Sequence, residues 1–229
     1  MKIAAEHKPI GKVCIINPRF DRNGLKDDDV VSFVPMSAVD EQSGKINLKE
    51  EGFIKDLIKG YTPFSENDVL FAKITPCMEN GKVAIAKNLK NAKGFGSTEF
   101  HVFRPGKEVV GDWIFYCLKN PLFRKNAEAN MTGSAGQKRV PSHFFERAMI
   151  PVPALAEQKR LVNLLQLIES ALEKRREAIR LADEFLKSAF LEMFGDPIKN
   201  QKRWVEKKLQ DVCQKITDGT HHSPKSLEE

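Results

Sequence analysis

From Leu155 to Phe194 the chain runs without a glycine or a proline. Apolar residues recur there at Leu161, Leu165, Ile168, Leu172, Ile179, Ala182, Leu186, Ala189 and Met193. These positions follow alternating steps of four and three, the period of a helix packed along a seam. Gly195 and Pro197 then read as a stop, because glycine takes the left-handed cap and proline cannot continue the helix. About 40 residues at 1.5 Å each make a helix of roughly 60 Å. The mean helix has about three turns, so a helix of this length needs something to pack against. A spacer or dimerisation rod is expected, the other reading being a long helix lying on its own domain. Arg175 interrupts the seam near its middle, where a charge costs stability but can set register or partner choice. Glu157, Glu169, Glu173, Arg176, Glu177 and Arg180 read as the solvated faces.

The 229 residues are 41% hydrophobic and 30% charged, enough for one core plus an extension. No apolar run approaches the roughly 18 residues of a membrane span. The opening Met-Lys-Ile-Ala-Ala-Glu-His-Lys is too polar for a signal peptide, so a cytoplasmic location is expected. Cys14, Cys77, Cys117 and Cys213 are scattered without a Cys-x-x-Cys pair, which points to neither a zinc site nor a disulfide framework. A net charge of +6 fits nucleic-acid binding without requiring it.

Residues 1–153 read as one mixed α+β domain. Strands are expected at Lys12–Ile16, Val30–Pro35, Asp68–Ile74, Lys82–Ala86, Ser97–Phe103 and Met149–Val152. Phe53–Tyr61 fits helix or strand. Asn80-Gly81 marks a turn after Asp68–Ile74, and Gly94-Phe95-Gly96 reads as a flexible link. Helices are expected over about 113–119 and 122–129, and Ser142 could cap a short one. Met131–Arg139 is a loop of small and basic residues. The helical segment occupies 154–196. Beyond it, Lys208-Leu209-Gln210-Asp211-Val212-Cys213 echoes Pro9-Ile10-Gly11-Lys12-Val13-Cys14, as if residues 197–229 opened a second copy of the first domain. These few residues cannot bury a core alone.

A search for catalytic groups returns near misses. Asn120-Pro121-Leu122-Phe123 resembles the Asn-Pro-Pro-Phe box of amino-methyltransferases, but no glycine-rich loop follows a strand to hold a cofactor. The plainer reading is that Asn-Pro ends one helix and starts another. Asp196 with Glu206 and Lys208 mimics a nuclease metal site beside a helix stop. Glu99 and His101 share one face of a strand, where a hydrogen-bonded surface pair is simpler than a metal site without a third ligand. His221-His222 is a loop pair. No metal site is expected.

Two clusters suit DNA instead. Lys73, Thr75, Asn80 and Lys82 surround one turn, and Ser134, Gln137, Lys138 and Arg139 sit in another loop. Arg and Lys meet guanine edges and phosphates, Asn and Gln meet adenine, and Ser and Thr meet either. The plainer alternative is solvated loop residues.

These residues bring a family into view. Ile150-Pro151-Val152-Pro153-Ala154-Leu155-Ala156-Glu157-Gln158 resembles the Pro-Leu-Pro-Pro-Leu-x-Glu-Gln opening of the conserved helix in Type I restriction-modification specificity subunits. Phe190-Leu191-Glu192-Met193-Phe194-Gly195-Asp196-Pro197 resembles its close. Lys73–Lys82, Gly96–Phe100 and Gly133–Pro141 are similar to patterns of the target recognition domains, and Thr217–Pro224 to a domain start. Ala154 departs from the usual second proline. The resemblance implies a DNA-reading domain over 1–153, a conserved spacer and dimerisation helix over 154–196, and an incomplete second recognition domain over 197–229. It implies sequence-specific recognition of double-stranded DNA by a subunit that catalyses nothing. S-adenosylmethionine, ATP and Mg would belong to the modification and restriction subunits. Leu161, Leu165, Ile168, Leu172, Ile179, Leu186 and Met193 would pair the helix with a second conserved helix, here supplied by a twin chain. The chain reads as a fragment, a truncated product or a half-subunit. An enzyme would need the missing cofactor or metal site. A coiled-coil adaptor, or a DNA-binding protein without a restriction role, would differ in its binding of duplex and partners.

Overall fold

Two strands buried on both faces organise the first unit. In the computed structural model, which describes residues 5–47, 50–134 and 136–217, the elements run as follows. β1 (Glu6–Pro9), α1 (Ile10–Val13) and β2 (Cys14–Ile16) come first, then β3 (Val30–Val34), β4 (Glu50–Phe53), α2 (Ile54–Leu57) and β5 (Thr62–Ser65). β6 (Val69–Ala72), β7 (Val83–Ile85), β8 (Lys93–Gly96) and β9 (Phe100–Pro105) complete the two main sheets. α3 (Gly111–Lys119), α4 (Pro121–Ala129), α5 (Ser142–Arg147) and β10 (Met149–Val152) lead to α6 (Leu155–Phe194) and α7 (Leu209–Val212).

One sheet has the order β2-β9-β6-β7 and is antiparallel throughout, while the other has the order β4-β3-β8-β5 with a parallel β3–β8 pair. Side chains alternate across a strand. Val69 and Phe71 of β6 therefore enter a core shared with the helices, beside Ile114, Leu118 and Phe145. Leu70 and Ala72 enter the core between the sheets, with Phe64, Phe100 and Val102. A strand covered on both sides reads as a continuous apolar run, which is why Val69–Ala72 shows no polar alternation. On the far side of the second sheet, Val31 and Phe95 pack against Ile54 and Leu57.

Gly94 and Gly96 do not form a flexible link. They belong to β8, an internal strand between β3 and β5. A Cβ on Gly94 would lie 2.4 Å from the Phe64 ring, and one on Gly96 would lie 2.6 Å from the Val34 carbonyl oxygen. Close sheet contact, not mobility, requires both glycines. Two further readings are corrected. The expected strand at Lys12–Ile16 begins with a helical turn, α1, and only Cys14–Ile16 is extended. Ser142 is the first residue of α5, capped by Pro141 without a side-chain bond.

β1 pairs antiparallel with β10, from Glu6 opposite Val152 to Pro9 opposite Met149. That ribbon ties the start of the chain to the segment leading into α6. The 40-residue α6 is unbroken. The compact unit extends to Ile168, taking in the first turns of this helix. In the second unit, from Glu169 onward, Gly195 ends the helix at φ +74°. Lys202 donates to the carbonyls of Glu192 and Met193, and the Trp204 indole donates to Phe194 at 2.8 Å. Carbonyls that the last turn leaves open are thus satisfied by a cation and an indole. Among the described residues, no helix is long and apolar enough to cross a membrane.

Candidate nucleic-acid interface

β6 does not end where its hairpin ends. Past Ala72 the chain stays extended and takes a new neighbour, the segment 138–140. Val140 N–H donates to the Lys73 carbonyl at 2.9 Å, and Thr75 N–H donates to the Lys138 carbonyl at 3.0 Å. Ile74 lies opposite Arg139 in this antiparallel bridge. The two clusters separated in sequence, Lys73–Lys82 and Ser134–Arg139, are therefore joined through the main chain. On its other side, Lys73 N–H donates to the Glu99 carbonyl at 2.9 Å.

The second loop is closed by its own backbone. Thr132 and Arg139 exchange two hydrogen bonds, of 2.9 and 2.8 Å. Gly133 at φ +119° and Gly136 at φ +82° adopt conformations that side-chain-bearing residues rarely take. Ser134, Gln137 and Lys138 are exposed, and Lys138 makes no side-chain bond or ion pair among the described residues. Ala135 lies outside the described residues, as do His221 and His222.

Arg139 is committed to an ion pair. Its guanidinium grips Glu99 through two bonds, 2.9 Å to Oε2 and 2.8 Å to Oε1. The bonds from Arg139 hold the Glu99 carboxyl below its ordinary range, and Glu99 raises Arg139 in turn. Glu99 and His101 do not form the expected surface pair. His101 is buried, with Nε2 2.8 Å from the Val140 carbonyl and Nδ1 3.1 Å from the Asn17 amide nitrogen. Burial lowers its pKa. Asn17 also accepts a bond from Val102 N–H at 3.0 Å. Glu99 thus holds the Arg139 side chain and His101 the Val140 carbonyl, with Asn17 bracing His101 from behind. What Glu99 and His101 grip lies about 40 residues away along the chain and leaves no local signal in the sequence.

The first turn divides similarly. Thr75 Oγ1 donates to Glu79 at 2.7 Å, and Lys82 Nζ donates to the Met36 carbonyl at 3.1 Å. Lys82 is thereby a strut between β7 and the segment after β3. Asn80 is exposed at the turn, and Lys73 carries a half-buried side chain without a bond or ion pair among the described residues. The outward-facing set is therefore Lys73, Asn80, Ser134, Gln137 and Lys138.

Among the described residues, no group of three His, Cys, Asp or Glu could hold a metal. Asn120 acts as a helix cap, accepting Leu122 N–H at 2.8 Å. Asp196 accepts from Ile198 N–H, and Glu206 from the Asn200 amide.

The Glu157-Gln158 pair at the helix start has a clear physical role. Gln158 is fully buried. Its oxygen accepts Val110 N–H at 3.1 Å, and its nitrogen donates to the Glu108 and Pro153 carbonyls at 2.8 Å each. One amide side chain locks α6 to the domain. Along the seam, Leu161 and Leu165 are half-buried, Leu165 beside Trp113, Tyr116 and Pro151 around a cleft of about 420 Å³. Ile168, Leu172, Ile179, Leu186 and Met193 are 49–65% exposed. Leu164, Leu167 and Phe185, which lie off the seam, are 48–71% exposed.

Residues 4–180 match the family of the Type I restriction modification DNA specificity domain. The chain belongs to that family. It is 42% identical over 158 residues to the Type I restriction enzyme EcoAI specificity subunit of Escherichia coli, covering 69% of this chain and 26% of that one. It is 41% identical over 155 residues to the EcoEI specificity subunit of the same species, covering 67% and 26%. The match thus spans about a quarter of these curated relatives. The fold also superposes on the HsdS subunit from Thermoanaerobacter tengcongensis with a TM-score of 0.60 at 23% identity, covering 84% of this chain and 50% of that one. A structure described as underlying complex assembly and conformational transition of the type I R-M system gives 0.63 at 23% identity, covering 84% and 49%. The specificity-domain fold accounts for the mixed sheets and for the long helix after them.

Proposed function

We propose that this chain is a DNA-reading part of a Type I restriction-modification assembly, recognising a specific duplex sequence and directing modification and restriction subunits to it. The observation that carries the reading is the bridge between Lys73–Thr75 and Lys138–Val140, which joins the two loops bearing Lys73, Asn80, Gln137 and Lys138 in a member of this family. Amides can read adenine, and lysines can meet guanine or phosphate. Ser134 adds a hydroxyl. Arg139 and Lys82 serve as supports in this reading. The setting is cytoplasmic. Methylation and cleavage belong to partner subunits that bring S-adenosylmethionine, ATP and Mg, while this chain supplies none of that chemistry. Residues 1–153 form the reading domain, 154–196 the spacer and 197–229 the opening of a second reading domain.

The exposed apolar stripe of α6 supports a helical partner, since a rod with such a stripe must bury it. A twin chain in a two-fold antiparallel pair is the simplest one. Leu164, Leu167 and Phe185 widen the apolar surface beyond one seam, which leaves room for a modification subunit as well.

The test is fluorescence anisotropy of the chain, assembled with its modification subunit, on duplexes carrying the motif that the assembled methyltransferase modifies and on scrambled controls. We expect tighter binding to the motif, and no methylation or cutting by the chain alone with S-adenosylmethionine or with Mg and ATP. Equal affinity for both duplexes would remove the reading in favour of a structural adaptor.

A further inference from the structure

Beside the bridged loops lies a separate cleft of about 340 Å³. Its rim brings together the ends of both sheets: Asn17 after β2, Lys59–Pro63 leading into β5, Lys73 after β6, and Thr98 before β9. No carboxylate lines it. Lys59 and Lys73 form no ion pair or side-chain hydrogen bond among the described residues. Thr62 and Thr98 add hydroxyls. Tyr61, 41% exposed, is held edge-on against Phe33 with ring centroids 4.7 Å apart, so it forms a fixed wall. Asn17 is held at φ +49° with its amide bonded to His101 and Val102. Glu99 lies near enough to act on Lys73 through charge, but it is not in the lining. A rigid cleft with two ammonium groups that form no ion pair and with two hydroxyls has the chemistry of a phosphate seat.

We propose that this cleft seats a DNA backbone phosphate and so fixes the register at which Gln137 and Lys138 meet the bases, an inference that rests on the DNA-reading function proposed above. The scaffold is shared, because Lys73 bonds through its main chain to both Glu99 and Val140. Anchoring the backbone at the cleft therefore anchors the reading loop through the main-chain hydrogen bonds that join Lys73–Thr75 to Lys138–Val140. Phosphate contacts position and base contacts specify.

The experiment is a salt titration of binding to a fluorescein-labelled duplex of mixed sequence, using the full chain with its modification subunit. Each neutralised phosphate contributes a slope of about −0.9 in log affinity against log salt. We expect Lys59→Ala and Lys73→Ala each to flatten the slope by roughly one unit, and Lys73→Arg to restore it. Neither lysine side chain supports the fold, so melting temperatures should stay unchanged, and a variant that fails to fold is replaced by Lys→Gln at the same site. A parallel arm adds inorganic phosphate at constant ionic strength. Competition lost in Lys59→Ala locates a free-phosphate site in the cleft, and with an unchanged DNA slope it overturns the proposal. Slopes flattened by Lys138→Ala but untouched by Lys59→Ala and Lys73→Ala also overturn it and leave the DNA-reading function standing. A wild-type complex with no salt-dependent binding overturns both.

Discussion

His101 has no choice about where its proton sits. The Val140 carbonyl can only accept, so Nε2 carries the hydrogen, and Nδ1 accepts from the Asn17 amide. Burial holds the ring below its ordinary pKa. The unfolded chain then binds the proton more readily, so this contribution to stability is full above the ordinary histidine range. It declines as pH falls through that range toward the depressed folded value. We expect thermal unfolding of the wild type to drop between about pH 7 and pH 5, and the drop to shrink in His101→Gln. Equal profiles for both proteins would show that His101 is not the group responsible. Glu99 acts in a lower window. Its pKa is depressed by Arg139, so its contribution is present above the ordinary carboxylate range and is lost as pH falls through the depressed value. The pair is half-exposed, so Glu99→Gln should cost roughly 0.2–1 kcal/mol. Hydrogen exchange at the Thr132 and Arg139 amides should quicken by up to about fivefold, the same energy expressed as a rate.

At the scale of elements, α6 divides into a docked start and an exposed remainder. Gln158 serves three backbone groups in a dry site. Gln158→Leu would leave one donor and two acceptors bare, and we expect a loss of about 1–3 kcal/mol or more in urea unfolding. A loss within error would mean that water reaches these groups. Further along, Leu172→Glu with Ile179→Glu should abolish self-association while leaving the domain's melting temperature unchanged. Leu165→Glu should lower that temperature as well, because Leu165 packs beside Trp113 and Tyr116. Light scattering at high micromolar concentration checks the first expectation, and a wild-type monomer there would remove the twin-chain partner. Arg175, exposed on the seam, sets two like charges near one another if the pair is centred on it, so a shifted register is expected.

At the scale of the molecule, the sequence echo has a structural counterpart. α1 and α7 are both four-residue helices between extended caps, and in each the N–H of the following cysteine returns to the first residue's carbonyl. A chain that starts the same element twice, once at the start of the first domain and once after the helix, fits the reading that residues 197–229 open a second recognition domain. Thr217 is the last described residue of that segment. If two chains pair about a two-fold axis, the assembly should favour inverted, identical half-sites. Selection from a random duplex pool checks this, and an asymmetric bipartite motif would count against a symmetric pair.

Periodicity alone determined the long helix. Its apolar spacing, the lack of glycine and proline, and the Gly195 stop are local signals, and local hydrogen bonding makes a helix. Short-range chemistry likewise determined β3, β6, β7, α3, α4 and the cap at Asn120. Tertiary structure decided the rest. Gly94 and Gly96 carry the composition of a linker, and only the ring of Phe64 across the sheet makes them a strand. Gln137, Lys138 and Arg139 look equivalent in sequence, yet Glu99 engages the Arg139 guanidinium and leaves the other two side chains exposed. The cleft between Lys59 and Lys73 is assembled from four distant segments, and no local pattern announces it. A helix is encoded by neighbours a few residues away, whereas a site is encoded by which strand ends meet, and sheet pairing sets that over long sequence separations.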